Sequence, residues 1–165
     1  MEAVDSSIKS PRILRCPVKM IDKATLQTAT YNIKHIATGQ YVTLKDTMRK
    51  STLIALHDSH FERLAWVLDK LAGLKDTYHV RSFLQNTFAR TGQFPTAGAE
   101  IVSGTESYPW LIRPAASDFG DIYLISPYSD PSLYWTIVKT RDGTNATLTN
   151  NPKHHVYWQF VKMSA

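Results

Sequence analysis

Apolar and polar residues alternate along three stretches of the chain, as they do in half-buried β-strands. Tyr, Val, Ile, Thr, Phe and Trp dominate these stretches, and such residues favour strands. The stretches open with similar motifs at Tyr31 (TYNIKHIATGQYV), Tyr78 (TYHVRSFLQNTFA) and Tyr123 (IYLISPYSDPSLYW), which lie 47 and 45 residues apart. A period of this length indicates three copies of one structural unit.

Each copy contains the same series of features. A second aromatic residue follows the opening tyrosine after ten or eleven positions, with turn-forming residues between them. A third short apolar stretch comes next, and a tryptophan closes the copy 32 to 35 residues after its opening. The second aromatic residues are Tyr41, Phe88 and Tyr134; the third stretches centre on Ile54, Ile101 and Leu148; the closing tryptophans are Trp66, Trp110 and Trp158. We therefore predict four short strands in each copy.

The segment around Trp66, HFERLAWVLDKLAG, has a second interpretation when it is considered alone. It could form an amphipathic helix with Gly73 after its last turn. The corresponding segments of the other copies contain Pro109 before the tryptophan, or a run of β-branched and aromatic residues. Neither segment is typical of a helix, so we predict a strand at all three places.

A four-stranded unit of this size cannot bury both of its faces alone, so the three copies must share one core around a pseudo-threefold axis. The opening tyrosines and closing tryptophans are expected to form that core. We expect repeats at about residues 28–74, 75–120 and 121–165, after an N-terminal extension of residues 1–27. The extension either packs across the domain as a strap or is flexible.

The cysteine content and the N-terminal residues bear on the cellular location. Cys16 is the only cysteine, so no internal disulfide can form, and no Cys/His cluster has the spacing of a zinc site. The N-terminal residues lack the apolar core of a signal peptide, and no apolar run reaches the length of a membrane span. We expect a cytoplasmic protein, or one exported without a signal peptide.

The chain is moderately basic, with a net charge of +5 and a pI near 9.3. Its nineteen Lys and Arg residues are spread along the sequence without a dense run. No basic helix or RNA-binding motif accompanies them, so nucleic acid is not an expected partner.

The repeats resemble the β-trefoil fold, and in particular the ricin-B-like lectins of mushrooms. Openings such as TYNIKHIATGQYVTL, endings such as VYWQFVKM and the near absence of cysteine carry the resemblance, which covers about residues 28–165. It implies an all-β trefoil of three four-stranded repeats with pseudo-threefold symmetry. It also implies a lectin without catalytic activity or cofactor, whose partners are glycans or glycoproteins.

One motif of that family is missing. Ricin-type sugar-binding repeats typically end in Gln-x-Trp, whereas the residues two before the tryptophans here are Leu64, Tyr108 and Val156. Sugar sites of the family also use an acidic residue, an amide and a stacking aromatic ring, because a sugar combines hydroxyl groups with an apolar face.

Carboxylates, amides, histidines and exposed rings near the second and third strands are therefore the candidate sugar-binding residues. The first repeat offers Asp46, His57, Asp58, His60 and Glu62. The third repeat offers Asp130, Trp135, Asn150, Asn151 and His154. Trp135 is the one tryptophan outside the repeat register, and it is either a stacking surface or an additional core ring. The second repeat has the fewest charged acceptors, so we expect it to be the weakest site.

The sequence contains no recognisable nucleophile with its base, paired carboxylates or phosphate-binding loop, so we do not expect an enzyme. The same fold also serves protease inhibitors, and fold alone does not separate the two functions. Candidate inhibitory loops span residues 91–100, 113–121 and 126–135, where prolines would stiffen the backbone. Glycan binding is the first prediction, protease inhibition is the alternative, and a homodimer is compatible with both.

Overall fold

The structure, a computed structural model, describes residues 25–58, 62–115, 121–153 and 155–163. Within these ranges the chain is all-β and contains thirteen strands. None of the described segments forms a helix long and apolar enough to cross a membrane.

The first repeat contains β1 Ala29–His35, β2 Tyr41–Leu44, β3 Leu53–Leu56 and β4 Ala65–Lys70. The second contains β5 Thr77–Ser82, β6 Phe88–Arg90, β7 Val102–Gly104 and β8 Pro109–Pro114. The third contains β9 Tyr123–Pro127, β10 Tyr134–Thr136, β11 Thr144–Asn145, β12 Thr147–Thr149 and β13 Trp158–Lys162.

Six strands close into a barrel, namely the first and last strands of each repeat. The antiparallel order runs β1, β4, β5, β8, β9 and β13. The ring closes where β13 pairs with β1, from Trp158 opposite His35 to Lys162 opposite Tyr31. A closed barrel leaves none of these strands as an open edge.

The remaining strands form one hairpin in each repeat, and the hairpins meet around the pseudo-threefold axis. Three backbone hydrogen bonds form a ring there, because each central residue donates to the next repeat's central residue. Leu53 N–H donates to Ile101 O (2.9 Å), Ile101 N–H to Ala146 O (3.1 Å), and Ala146 N–H to Leu53 O (2.8 Å). The arrangement is a β-trefoil, which confirms the fold predicted from the repeats.

The predicted core rings are buried in all three repeats. None of them exposes more than 4% of its surface: Tyr31, Tyr78, Tyr123, Trp66, Trp110 and Trp158. Each closing tryptophan also donates its Nε1–H to a backbone carbonyl at an equivalent place. Trp66 donates to Val42 (2.9 Å), Trp110 to Ala89 (2.8 Å) and Trp158 to Trp135 (3.0 Å). Packing and hydrogen bonding together fix these rings.

Trp135 occupies the position that Val42 and Ala89 hold in the other repeats, and it is fully buried. Its ring packs edge to face with Trp110 (5.1 Å between centroids) and with Trp158 (5.9 Å). A ring without exposed surface cannot stack on a ligand. The prediction of Trp135 as a carbohydrate-binding residue is therefore wrong, and the ring belongs to the core.

The segment with two possible secondary structures is a strand. β4 pairs with β1 on one side and with β5 on the other, which confirms the interpretation taken from the other repeats. The second strands β2, β6 and β10 begin at the predicted aromatic residues Tyr41, Phe88 and Tyr134.

The described end of the predicted extension lies against the barrel. Leu26 is buried, and its carbonyl accepts the Tyr78 hydroxyl at 2.7 Å. The neighbouring carbonyl of Gln27 accepts the Tyr31 hydroxyl at 2.9 Å. The rest of the extension, including Cys16, lies outside the described residues.

Candidate functional site

The turn of each hairpin reaches across to the next repeat and forms a seam with it. A pair of residues in β-bridge geometry holds each seam at an equivalent place. These pairs are Thr52 with Val102, Glu100 with Thr147, and Asn145 with Ile54. The residues of one seam can therefore be compared position by position with those of the others.

The three turns share a backbone conformation. Lys50, Gly98 and Gly143 all have positive φ angles, of 58°, 88° and 91°, and each lies three residues before the central residue of its hairpin. Their common geometry places the preceding residues, Arg49, Ala97 and Asp142, at equivalent positions. The three seams thus present a cation, a methyl group and a carboxylate.

The seam between the third and first repeats is closed by a carboxylate, and we call Gln40, His57 and Asp142 the carboxylate seam. Asp142 Oδ1 accepts hydrogen bonds from His57 N–H (2.9 Å), from His57 Nδ1 (2.8 Å) and from Gln40 Nε2 (3.2 Å). Gln40 is buried, whereas the side chains of His57 and Asp142 are each 49% exposed. The seam thus joins a buried amide to an exposed ion pair.

The His57 ring faces oxygen acceptors at both nitrogens, because Nε2 lies 3.0 Å from the carbonyl of Thr38. Both contacts are satisfied together only when the imidazole is protonated. The hydrogen bonds to the Thr38 carbonyl and to Asp142 raise the pKa of His57. The hydrogen bond from the His57 backbone, followed by that from Gln40, lowers the pKa of Asp142. The seam therefore favours a charged pair.

His35 lies beside this seam and has the opposite character. It is fully buried, with Nε2 2.7 Å from the carbonyl of His155 and Nδ1 2.9 Å from the hydroxyl of Thr38. Burial lowers the pKa of His35, so the ring is neutral, donates from Nε2 and accepts at Nδ1. Sequence analysis missed this residue, although its place two residues after Ile33 on β1 marks the buried face of the strand.

The seam between the first and second repeats is open. A groove of about 730 Å³ lies between the turn 46–50 and the second repeat. In this seam Arg49 occupies the position that Asp142 holds in the carboxylate seam. Thr87 occupies the position of Gln40, and Thr105 occupies the position of His57. We call this site the open groove, and its basic side chains are Arg49, Lys50 and Arg90.

The predicted first-repeat site residues do not form one cluster. Asp46 lines the open groove, where its carboxylate accepts Met48 N–H at 2.9 Å. His57 belongs to the carboxylate seam, and Asp58 next to it forms an ion pair with Arg63 at 3.1 Å. Glu62 is exposed, and His60 lies outside the described residues. The single cluster is corrected to two seams because the turn and the end of β3 face different repeats.

The predicted third-repeat residues are also separated. Asp130 accepts Ser132 N–H at 3.1 Å and stabilises its own turn, and the Asn151 side chain accepts Lys153 N–H at 3.0 Å. Asn150 is exposed at the position equivalent to His57, whereas His154 lies outside the described residues. The seam between the second and third repeats has Ala97 at the position of Asp142 and the buried Leu133 at the position of Gln40. It therefore offers fewer polar groups than the other two.

The positions of the missing Gln-x-Trp glutamines face the core. Leu64, Tyr108 and Val156 are all buried. The Tyr108 ring packs 4.9 Å from Trp110, and its hydroxyl donates to the carbonyl of Gly92. These side chains do not offer polar atoms to a ligand, so any sugar site must use other residues.

No protein-family model and no curated protein sequence matches the chain. Solved structures do resemble it. The Rhizoctonia solani agglutinin is 18% identical with a TM-score of 0.72, over 84% of this chain and 97% of the agglutinin. The Macrolepiota procera ricin B-like lectin, solved in complex with lactose, is 15% identical with a TM-score of 0.74, over 84% of this chain and 99% of the lectin. The designed threefold-symmetric protein ThreeFoil is 14% identical with a TM-score of 0.71, over 81% of this chain and 99% of ThreeFoil.

These likenesses define the class of protein. The chain is a β-trefoil, and its structure resembles those of fungal ricin B-like lectins across nearly the whole length of those two proteins.

Proposed function

We propose that the chain is a lectin without catalytic activity, and that it binds glycans at the carboxylate seam. The structural likeness to a lectin solved with lactose supports the class of ligand. The observation that carries the proposal for this chain is the pair of His57 and Asp142, which is half exposed yet held in one orientation. Exposed polar groups in a fixed geometry are what selective sugar binding needs.

The two residues supply complementary parts of a sugar site. Within the described residues the Asp142 carboxylate accepts all three of its hydrogen bonds at Oδ1, so Oδ2 is the oxygen to accept sugar hydroxyls. The His57 ring is fixed at both nitrogens and presents a face to solvent. That face packs against the apolar C–H patch of the sugar, in the role predicted at first for Trp135.

The test is a glycan array followed by calorimetric titration of the neutral glycans that bind, with lactose as the first soluble probe. Two salt concentrations separate glycan recognition from nonspecific attraction to a basic protein. Asp142→Asn and His57→Ala should each weaken binding about tenfold or more, since each removes a charged or stacking contact. Asp121→Asn, an exposed carboxylate before β9, is the matched control. An array without bound neutral glycans would refute the proposal.

A second candidate function is protease inhibition, favoured by one exposed loop. In residues 91–100, Phe94 exposes 84% of its surface and is followed by Pro95. The loop is anchored at its far end, where Gly98 N–H donates to Leu148 O at 2.7 Å. If this loop enters a protease cleft, Phe94→Ala should abolish inhibition in a panel of serine and cysteine proteases. Wild-type protein without inhibition at micromolar concentration excludes this function for that panel.

A further inference from the structure

We infer that the open groove binds the carboxylate of an acidic sugar, at the place that the Asp142 carboxylate occupies in the carboxylate seam. The inference rests on the proposed glycan binding and adds a second site with a different ligand. It follows from comparing two equivalent seams of one molecule, one filled by the chain's own anion and one open.

The hydrogen-bond donors of the two seams correspond. Gln40 and Thr87 occupy equivalent places, because their carbonyls accept His35 N–H (2.8 Å) and Ser82 N–H (2.7 Å) in the same turn of the two repeats. A second pair of donors corresponds as well. The residues directly before these donors, Leu56 and Gly104, pair with the equivalent residues Tyr41 and Phe88. His57 and Thr105 follow these two residues directly. The Thr87 hydroxyl thus replaces the Gln40 amide, and Thr105 N–H replaces His57 N–H.

The acceptor differs between the seams. Asp142 supplies a carboxylate in the first seam, whereas Arg49 stands at its position in the open groove. Thr87 Oγ1 is buried and has no hydrogen-bond partner within the described residues. A buried hydroxyl without a partner lowers the stability of the fold. An anion entering from solvent would satisfy this hydroxyl and face Arg49.

The charges of the groove leave cations available. Five charged residues line it, namely Asp46, Arg49, Lys50, Arg90 and Glu106. Asp46 is engaged by Met48 N–H, and Glu106 lies 3.6 Å from Arg90. No carboxylate of the described chain forms an ion pair with Arg49 or Lys50. A guanidinium and an ammonium beside an orphan hydroxyl favour a carboxylate ligand.

The rest of the lining suits a sugar rather than a bare anion. Gln85 and Thr105 are not buried, and they supply an amide and a hydroxyl group that match sugar hydroxyls. Arg90 lies directly over Gly104, where a Cβ would collide with the arginine side chain. The glycine therefore leaves room for the Arg90 side chain in the lining of the groove.

The test is an NMR titration of ¹⁵N-labelled protein at constant ionic strength with three probes: glucuronate, glucose and acetate. Glucuronate should shift the amide signals of Arg49, Thr87 and Thr105, and it should bind more tightly than either of the other probes. Arg49→Gln and Thr87→Val should each weaken glucuronate binding about tenfold or more. Lys75→Gln, which removes an exposed cation between β4 and β5, should leave it unchanged.

Four outcomes would overturn the inference. Glucose binding as tightly as glucuronate would show that the carboxylate is not recognised. Acetate binding as tightly as glucuronate would show that the sugar ring contributes nothing. Glucuronate binding unaffected by Arg49→Gln would place the site elsewhere. Lactose or array binding by wild-type protein that does not bind glucuronate overturns this inference alone, whereas wild-type protein that binds no glycan at all overturns the proposed function too.

Discussion

His57 Nδ1 lies 2.8 Å from Asp142 Oδ1, and the contact joins two residues 85 positions apart in the chain. The same carboxylate oxygen accepts the backbone N–H of His57. The first and third repeats are therefore joined by an exposed ion pair as well as by the barrel strands.

This ion pair predicts a pH-dependent part of the stability. The raised pKa of His57 means that its contribution is complete below its ordinary value of 6.5 and is lost as the pH rises through the folded-state pKa. The lowered pKa of Asp142 means that its contribution is present above its ordinary value of 3.8 and is lost as the pH falls through the folded-state pKa. The difference in Tm between wild type and His57→Ala should be larger at about pH 5.5 than at about pH 9.

Lys75→Ala is the control, because it removes an exposed charge from the turn between β4 and β5, away from the carboxylate seam. Its Tm difference from wild type should not follow the same profile. A His57→Ala difference that stays constant between the two pH values would contradict the protonated state assigned to His57.

His35 and His57 should titrate on opposite sides of the ordinary histidine value. Burial lowers the pKa of His35, whereas hydrogen bonds to Thr38 and Asp142 raise that of His57. A ¹⁵N-edited NMR titration of the imidazole nitrogens measures both in one sample. Asp142→Asn should lower the pKa of His57 and leave His35 nearly unchanged. Equal pKa values for the two rings would exclude the assigned hydrogen-bond roles.

Trp135→Ala should destabilise the domain by about 3–5 kcal/mol, the range for removing a large buried ring. The reason is its full burial and its edge-to-face contacts with Trp110 and Trp158. Urea denaturation monitored by circular dichroism gives the change in the free energy of unfolding. Tyr128→Ala, which removes a half-exposed ring in the same repeat, should cost less. A stable Trp135→Ala protein would contradict the core role.

Introducing the glutamine of the ricin-type Gln-x-Trp motif should not create a sugar site. In Leu64→Gln the new amide would enter the core at a fully buried position, and an unpaired buried amide costs about 1–3 kcal/mol. We expect a lower Tm and unchanged glycan binding, measured by calorimetry on the same samples. Tighter glycan binding in this variant would show that the position faces the ligand after all.

The sequence predicted the fold because the four-stranded unit is repeated three times, and each repeat checks the others. The strand around Trp66 illustrates this, since its own residues permit a helix and only the comparison with Pro109 excludes it. Local periodicity and repeat spacing were sufficient for the strands that begin at Tyr41, Phe88 and Tyr134.

The candidate site was less predictable because its residues come from different repeats. His57 was found by residue type, but Asp142 and Gln40 were not, since no local pattern joins them to His57. Trp135 was misassigned because a tryptophan outside the register is compatible with both the surface and the core. Only the packing shows that Trp135 occupies a core position in its own repeat, the position that the smaller Val42 and Ala89 hold in the other two.

The placement of each seam between two repeats has a consequence for how this scaffold diversifies. Half of a site lies on a hairpin turn and the other half on the following repeat, so no repeat carries a complete site. A single exchange at the residue before the left-handed turn, such as Arg49, Ala97 or Asp142, changes the chemistry of one seam. The ring of backbone hydrogen bonds is untouched by such an exchange. Repetition of one structural unit thus gives three seams whose side chains can differ independently on one shared frame.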